Sequence, residues 1–144
     1  MQNLPEYTCH KKVMAFLIGK IEGNRIHSAT NLGMFVDVEA EFFERNKNTN
    51  EPGYLVIYEN NYVSWSPKEV FEAGYHSTDT ALDRLKYEYA DLQEKIKNLS
   101  NFIDNNTAFD QLAADVQIQM TIQLRHMKRY AECLEYRLEL WGVK

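Results

Sequence analysis

At 144 residues, 44% hydrophobic and 12% aromatic, with a formal charge of −5, the chain is too apolar to be disordered and too acidic for general electrostatic binding to DNA or RNA. Its length suits one ordinary domain or two small ones that lean on each other, and its apolar runs are far too short to cross a membrane. The polar opening MQNLPEYTCHKK lacks the basic and apolar blocks of a signal peptide, which points to the cytoplasm.

Residues up to Tyr7 read as a loose arm. The run KKVMAFLI, Lys11 to Ile18, is bounded by charges and Gly19, and its length predicts a buried strand. From Glu22 to Gly33 the chain is rich in Asn, Gly, Ser and Thr, a turn and loop with room for a short strand at Arg25 to His27. Met34 to Phe43 begins β-like and ends helix-like, so a strand followed by a helical turn is expected. Asn46 to Gly53 is a loop on composition.

The stretch GYLVIYENNYVSWSPKEVFEAGY, Gly53 to Tyr75, is the most explicit in the chain. Tyr54 to Glu59 and Tyr62 to Trp65 are β-branched and aromatic, and only Asn60 and Asn61 separate them, which predicts a two-residue hairpin loop. Tyr58 would then face Val63 and Val56 would face Trp65, putting Tyr54, Val56, Tyr58, Val63 and Trp65 on one buried face. Ser66, Pro67 and Glu69 read as a capping box that launches a short helix, ended by Gly74.

After Asp79 the period changes. Leu82, Leu85, Tyr89, Leu92, Ile96, Leu99 and Ile103 form a heptad seam, capped by Thr80 or Asp79. Asp104 to Thr107 breaks the helix, and Thr107 with Asp110 would cap a second one from about Ala108 to Trp141, with Gly142 as its stop. Its seam is Ala113, Val116, Met120, Leu124, Met127, Ala131, Leu134, Leu138 and Trp141. So short a loop makes the two helices antiparallel.

The expected fold class is therefore α+β. A small antiparallel β domain with a short capping helix occupies residues 1–79, and a long antiparallel, coiled-coil-like αα-hairpin occupies 80–144, for oligomerisation or partner binding. A lone helix pair leaves much of each stripe bare, so a homodimer or higher oligomer is expected.

Chemistry is sparse. His10, His27, His76 and His126 show no metal-ligand spacing, and Cys9 and Cys133 form no CxxC, so they read as reduced, half-buried thiols with no metal and no cofactor. Neither a GxSxG nor a glycine-rich phosphate loop is present, and no catalytic residue is nominated. Residues before Thr80 hold 7 Lys/Arg against 11 Asp/Glu and the remainder 9 against 10, so any anion site belongs in the second part. There Arg125, Lys128 and Arg129 share a helix face, either solvated and paired with Glu132 or forming an anion site completed by Tyr130 or a second copy. Tyr62, on the outer face of the hairpin, is the candidate for partner contact.

The Gly53 to Tyr75 stretch resembles the motif GYxVxYxxGYxSWSPxxVFExxY of small accessory proteins of tailed phages and prophages, and KKVMAF is similar to their first strand. The matching residues downstream are Leu82 to Leu85, Glu88 to Leu92, Lys95 to Ile103 and Gln123 to Leu138. Asn61 departs from the family's usual Gly, and the segment from Glu22 to Asn50 matches nothing in the motif. The resemblance implies a phage or prophage protein in the bacterial host cytoplasm that acts on the host or its defences. The first reading is a non-enzymatic protein that binds a host defence protein. The alternative is an oligomeric sponge that sequesters a nucleotide signal, and a DNA-mimicking role ranks third for so modest a charge.

Overall fold

The computed structural model describes residues 3–143, which form two compact units divided between Tyr75 and His76. The architecture is α+β. The first unit runs β1 (Met14–Glu22), β2 (Arg25–Ser28), β3 (Phe35–Asp37), α1 (Ala40–Arg45), β4 (Gly53–Ile57), β5 (Val63–Pro67) and α2 (Lys68–Gly74). Its five strands make one antiparallel sheet in the order β3-β2-β1-β4-β5.

β1 starts three residues later than KKVMAFLI suggests and runs on past Gly19. The ladder to β2 shifts register between Ile18 and Lys20, so Gly19 marks a bulge and not a strand end. A side chain there is excluded, since an added Cβ would come within 2.9 Å of Ala29 Cα. β2 and β3 are tied by the Arg25 guanidinium, which donates two bonds to the Asp37 carboxylate at 2.7 and 3.0 Å and lies 3.9 Å over the Phe35 ring. The Arg25 hydrogen bond holds the Asp37 carboxyl below its ordinary range. The core of this unit is Ile26, Val38, Phe42 and Leu55, with Phe16, Ile18, Val63 and Trp65 packed around it.

The β4–β5 hairpin is built differently from the two-residue loop expected of it. Tyr58 N–H donates to the Tyr62 carbonyl and Asn61 N–H to the Tyr58 carbonyl, both at 2.9 Å, and Asn61 has φ 65°. This is a three-residue loop, a turn over Glu59 and Asn60 followed by a left-handed residue at Asn61. The extra loop residue moves the register by one, so that Ile57 pairs with Val63, Leu55 with Trp65 and Val56 with Ser64. Leu55, not Val56, joins Val63 and Trp65 on the core face. Val56 and Tyr54 turn to the other side, where Tyr54 stacks on Phe71 of α2 at 4.1 Å. Asn61→Gly is expected to keep or raise the melting temperature, whereas Asn61→Val should cost about 1–2 kcal/mol in chemical denaturation, because a β-branched residue resists the left-handed region. A Val variant as stable as the parent would contradict this turn.

The capping box also fails to form. Ser66 still pairs with Tyr54 in the ladder, Pro67 pairs with Gly53, and Lys68 N–H donates to the Pro52 carbonyl at 3.0 Å. α2 therefore begins one residue late with Pro67 as a cap that supplies no side-chain bond, and Glu69 is out of step to answer Ser66.

The second unit comprises α3 (Ala81–Asn105), a single turn α4 (Thr107–Asp110) and α5 (Ala114–Leu140). Thr80 Oγ1 caps α3 by accepting from Asp83 N–H at 3.0 Å, and Ser77 Oγ donates to the Asp83 carboxylate at 2.8 Å, the main reason its carboxyl is held low. α3 and α5 pack antiparallel: Leu85 and Leu92 from one meet Ala131, Leu134 and Leu138 from the other. Tyr89 packs beside them, its hydroxyl accepting from Gln93 at 2.8 Å.

The second helix is not continuous from Ala108. Asn106, not Thr107, is the cap of α4, its Oδ1 accepting from Ala108 N–H at 2.9 Å. The chain then breaks before Ala114, and the Gln117 amide spans the break, donating to the carbonyls of Phe109 at 3.1 Å and Leu112 at 3.0 Å. Ala113 and Val116 consequently leave the seam, and Trp141, beyond the last residue of α5, lies outside it; Val116 and Trp141 stand 44% and 57% exposed. Gly142, at φ 79°, ends α5: Val143 N–H reaches the Leu138 carbonyl and Gly142 N–H that of Glu139, and Val143 packs on the core.

Candidate functional site

The candidate residues lie in both units. Tyr62 follows the hairpin turn, 46% exposed, with the Arg45 guanidinium 5.2 Å from its ring and the Tyr58 ring 6.0 Å away. With Tyr58, Glu59, Asn60, Lys11 and Lys12 it lines a shallow cleft of about 420 Å³. The other four candidates are on α5.

Arg125 lines a groove of about 390 Å³ beside the α4–α5 break, together with Phe109, Gln117, Ile118, Thr121 and Ile122. The break creates this groove, because a continuous helix would carry Phe109 round on the same cylinder. α4 instead folds Phe109 back, where its ring meets Phe102 of α3 edge to face at 6.0 Å. The local polar groups are engaged: Thr121 Oγ1 donates to the Gln117 carbonyl at 2.9 Å, and the Gln117 amide is spent on the break. The walls are therefore largely apolar, and the guanidinium is their one charge. Such a groove suits a flat or apolar body carrying an anion at one end.

Lys128 and Arg129 continue the exposed face one turn further along but do not line the groove. None of Arg125, Lys128 and Arg129 forms an ion pair among the described residues, so the expected pairing with Glu132 is not made. Tyr130 is 45% exposed and, at about 100° per residue, points about 140° round the helix from Arg125. It does not complete a site with that residue within one chain.

Sequence reasoning missed Phe109, Ile118 and Ile122. The signal available was Asn106 followed by Ala-Phe-Asp, a cap and an aromatic that belong to a single turn, but it was absorbed into a longer helix. Cys9 and Cys133, read as half-buried, are both exposed. Among the described residues no group of three or more His, Cys, Asp or Glu is placed to hold a metal, and no helix is long and apolar enough to cross a membrane.

No curated protein and no solved structure matches the chain. A family model described as Sequestin matches residues 79–140, the stretch that holds the helical hairpin, the groove and the basic face of α5.

Proposed function

We propose that the chain works by binding and sequestering a small anionic ligand, with a nucleotide as the class that fits best, in the groove closed by Arg125. One observation carries this reading: a largely apolar groove with a single unpaired guanidinium lies within the segment similar to the Sequestin family, whose name denotes sequestration. A nucleobase supplies the flat body and a phosphate the partner for the guanidinium fork. The sponge reading thus moves ahead of capture of a host defence protein. No catalytic group is part of it, and a phage or prophage protein in a bacterial cytoplasm is the setting the SWSP resemblance supports. Residues 1–79 would then be a scaffold and 80–144 the binding part.

A thermal-shift screen against mono-, di- and cyclic nucleotides, followed by calorimetry, tests the proposal, since a ligand bound only by the folded state must raise the melting temperature. Arg125→Ala is expected to weaken binding about 10- to 100-fold with little change in the melting temperature of the free protein, because the residue is exposed and removing a charged hydrogen bond costs about 1.5–3 kcal/mol. No shift with any nucleotide would overturn the nucleotide reading. Capture of a bacterial protein in its place would restore the other.

A further inference from the structure

We propose that the outward face of α5 pairs with the same face of a second copy, antiparallel about a two-fold axis that crosses this face at the level of residue 130. The face is charged in two halves. Arg125, Lys128 and Arg129 form its N-terminal half, and Glu132, Glu135 and Glu139 its C-terminal half. At about 100° per residue all six fall within an arc of about 120°, and all six are exposed.

These charges do not neutralise one another within the helix. Lys128 and Glu132 stand four apart with the cation first, the weaker sense for such a pair, and no bridge forms among the described residues. Asp91 and Lys95 on α3 have the favourable sense and meet at 2.8 Å. The contrast leaves a block of free cations next to a block of free carboxylates. Turning a second α5 end for end lays Lys128 of one copy level with Glu132 of the other, Arg125 level with Glu135, and Arg129 one residue from Glu132, twice over by symmetry. A parallel pair would set like against like.

Apolar residues flank the charged centre and obey the same rotation. Ile118 lies towards one end, 57% exposed, and Tyr136 and Leu140 towards the other, at 62% and 70%. In the same antiparallel register Ile118 and Ile122 of one copy come within about 3 Å, two residues, of the levels of Leu140 and Tyr136 of the second. Large exposed side chains at both ends of a charge-matched centre give a self-complementary strip about 33 Å long, at about 1.5 Å per residue. The pairing stands on the charge pattern and these apolar ends; Arg125, Ile118 and Ile122 also line the groove, so a second copy and a ligand share that part of the surface.

Sedimentation of the full chain at micromolar concentration should give the mass of two chains. The double variants Lys128→Glu with Arg129→Glu, and Glu132→Lys with Glu135→Lys, should each sediment as monomers with helicity unchanged, since all four side chains are exposed. Mixed in equal amounts, the mainly acidic face of one variant and the mainly basic face of the other should recover the two-chain mass. The uncharged variant Tyr136→Ser should weaken the dimer by itself. A monomeric parent, a double variant that stays dimeric, or a mixture that stays monomeric would each overturn the proposal. Nucleotide binding that persists in the monomeric variants would leave the Arg125 groove standing.

Discussion

Leu134→Ala should remove about 2–5 kcal/mol from the helical hairpin. Leu134 is 1% exposed, and its cluster numbers only Leu85, Leu92, Ala131 and Leu138 besides itself, with Leu82, Tyr89, Ile96, Met127 and Val143 at the margin. Ala131 is already small, so a cavity at its neighbour has few side chains able to collapse into it. Against a total of about 5–15 kcal/mol for an ordinary domain, a loss of that size leaves a two-helix unit barely folded. Urea titration followed by far-ultraviolet circular dichroism measures it. Gln119→Ala, on the same helix but exposed and off the paired face, should change stability little and serves as the control. A Leu134 variant within about 1 kcal/mol of the parent would mean that α3 and α5 do not meet along this seam.

Gly53→Ala should destabilise the sheet unit by about 1–3 kcal/mol, towards the upper end of the range for overpacking. A Cβ on Gly53 would come within 2.5 Å of Trp65 Cε2 and 2.7 Å of the Ser66 carbonyl, and closer still to Trp65 Nε1. The indole cannot step aside easily, because Trp65 packs against the core of Ile26, Val38, Phe42 and Leu55. Nor can the Ser66 carbonyl, which sits in the ladder opposite Tyr54. Gly74→Ala is the matched control: nothing lies within 4 Å of its added Cβ, and alanine at the end of α2 should be neutral or mildly stabilising. Thermal denaturation of the two variants should separate them clearly. Equal melting temperatures would contradict the placement of Trp65 over Gly53.

What could be read from the sequence followed the length of the local pattern. The seams that contain Leu85 and Leu92 on Leu82 to Ile103, and Ala131, Leu134 and Leu138 on Met120 to Leu138, repeat for about five turns each, and their pairing was legible from spacing alone. The hairpin was legible as a hairpin, but its register hung on whether the loop had two residues or three, and Asn60-Asn61 is compatible with both. One residue of error sent Leu55 and Val56 to the wrong faces. In the segment from Glu22 to Asn50 the short strand at Arg25–Ser28 and the strand and helical turn at Phe35–Asp37 and Ala40–Arg45 were legible from residue type, but elements so short show no period, so nothing marked Ile26, Val38 and Phe42 as core residues. For the site, Arg125 was legible as a cation on an exposed face. Its groove was not, because it depends on a break held open by the Gln117 amide, a tertiary contact that composition does not announce.

The two tryptophans sit in different units and in opposite surroundings. Trp65 is half-buried with its indole N–H shut away from any protein acceptor, and Trp141 stands 57% exposed at the end of α5. Indole emission moves to the red with water contact, so Trp65 is a built-in optical reporter that reddens as the sheet opens, while Trp141 is red from the start. Replacing Trp141 with Phe would leave a chain whose fluorescence follows the sheet unit alone, and far-ultraviolet ellipticity would follow chiefly the helices. Whether the two units melt together or one before the other then becomes a measurement on a single cuvette.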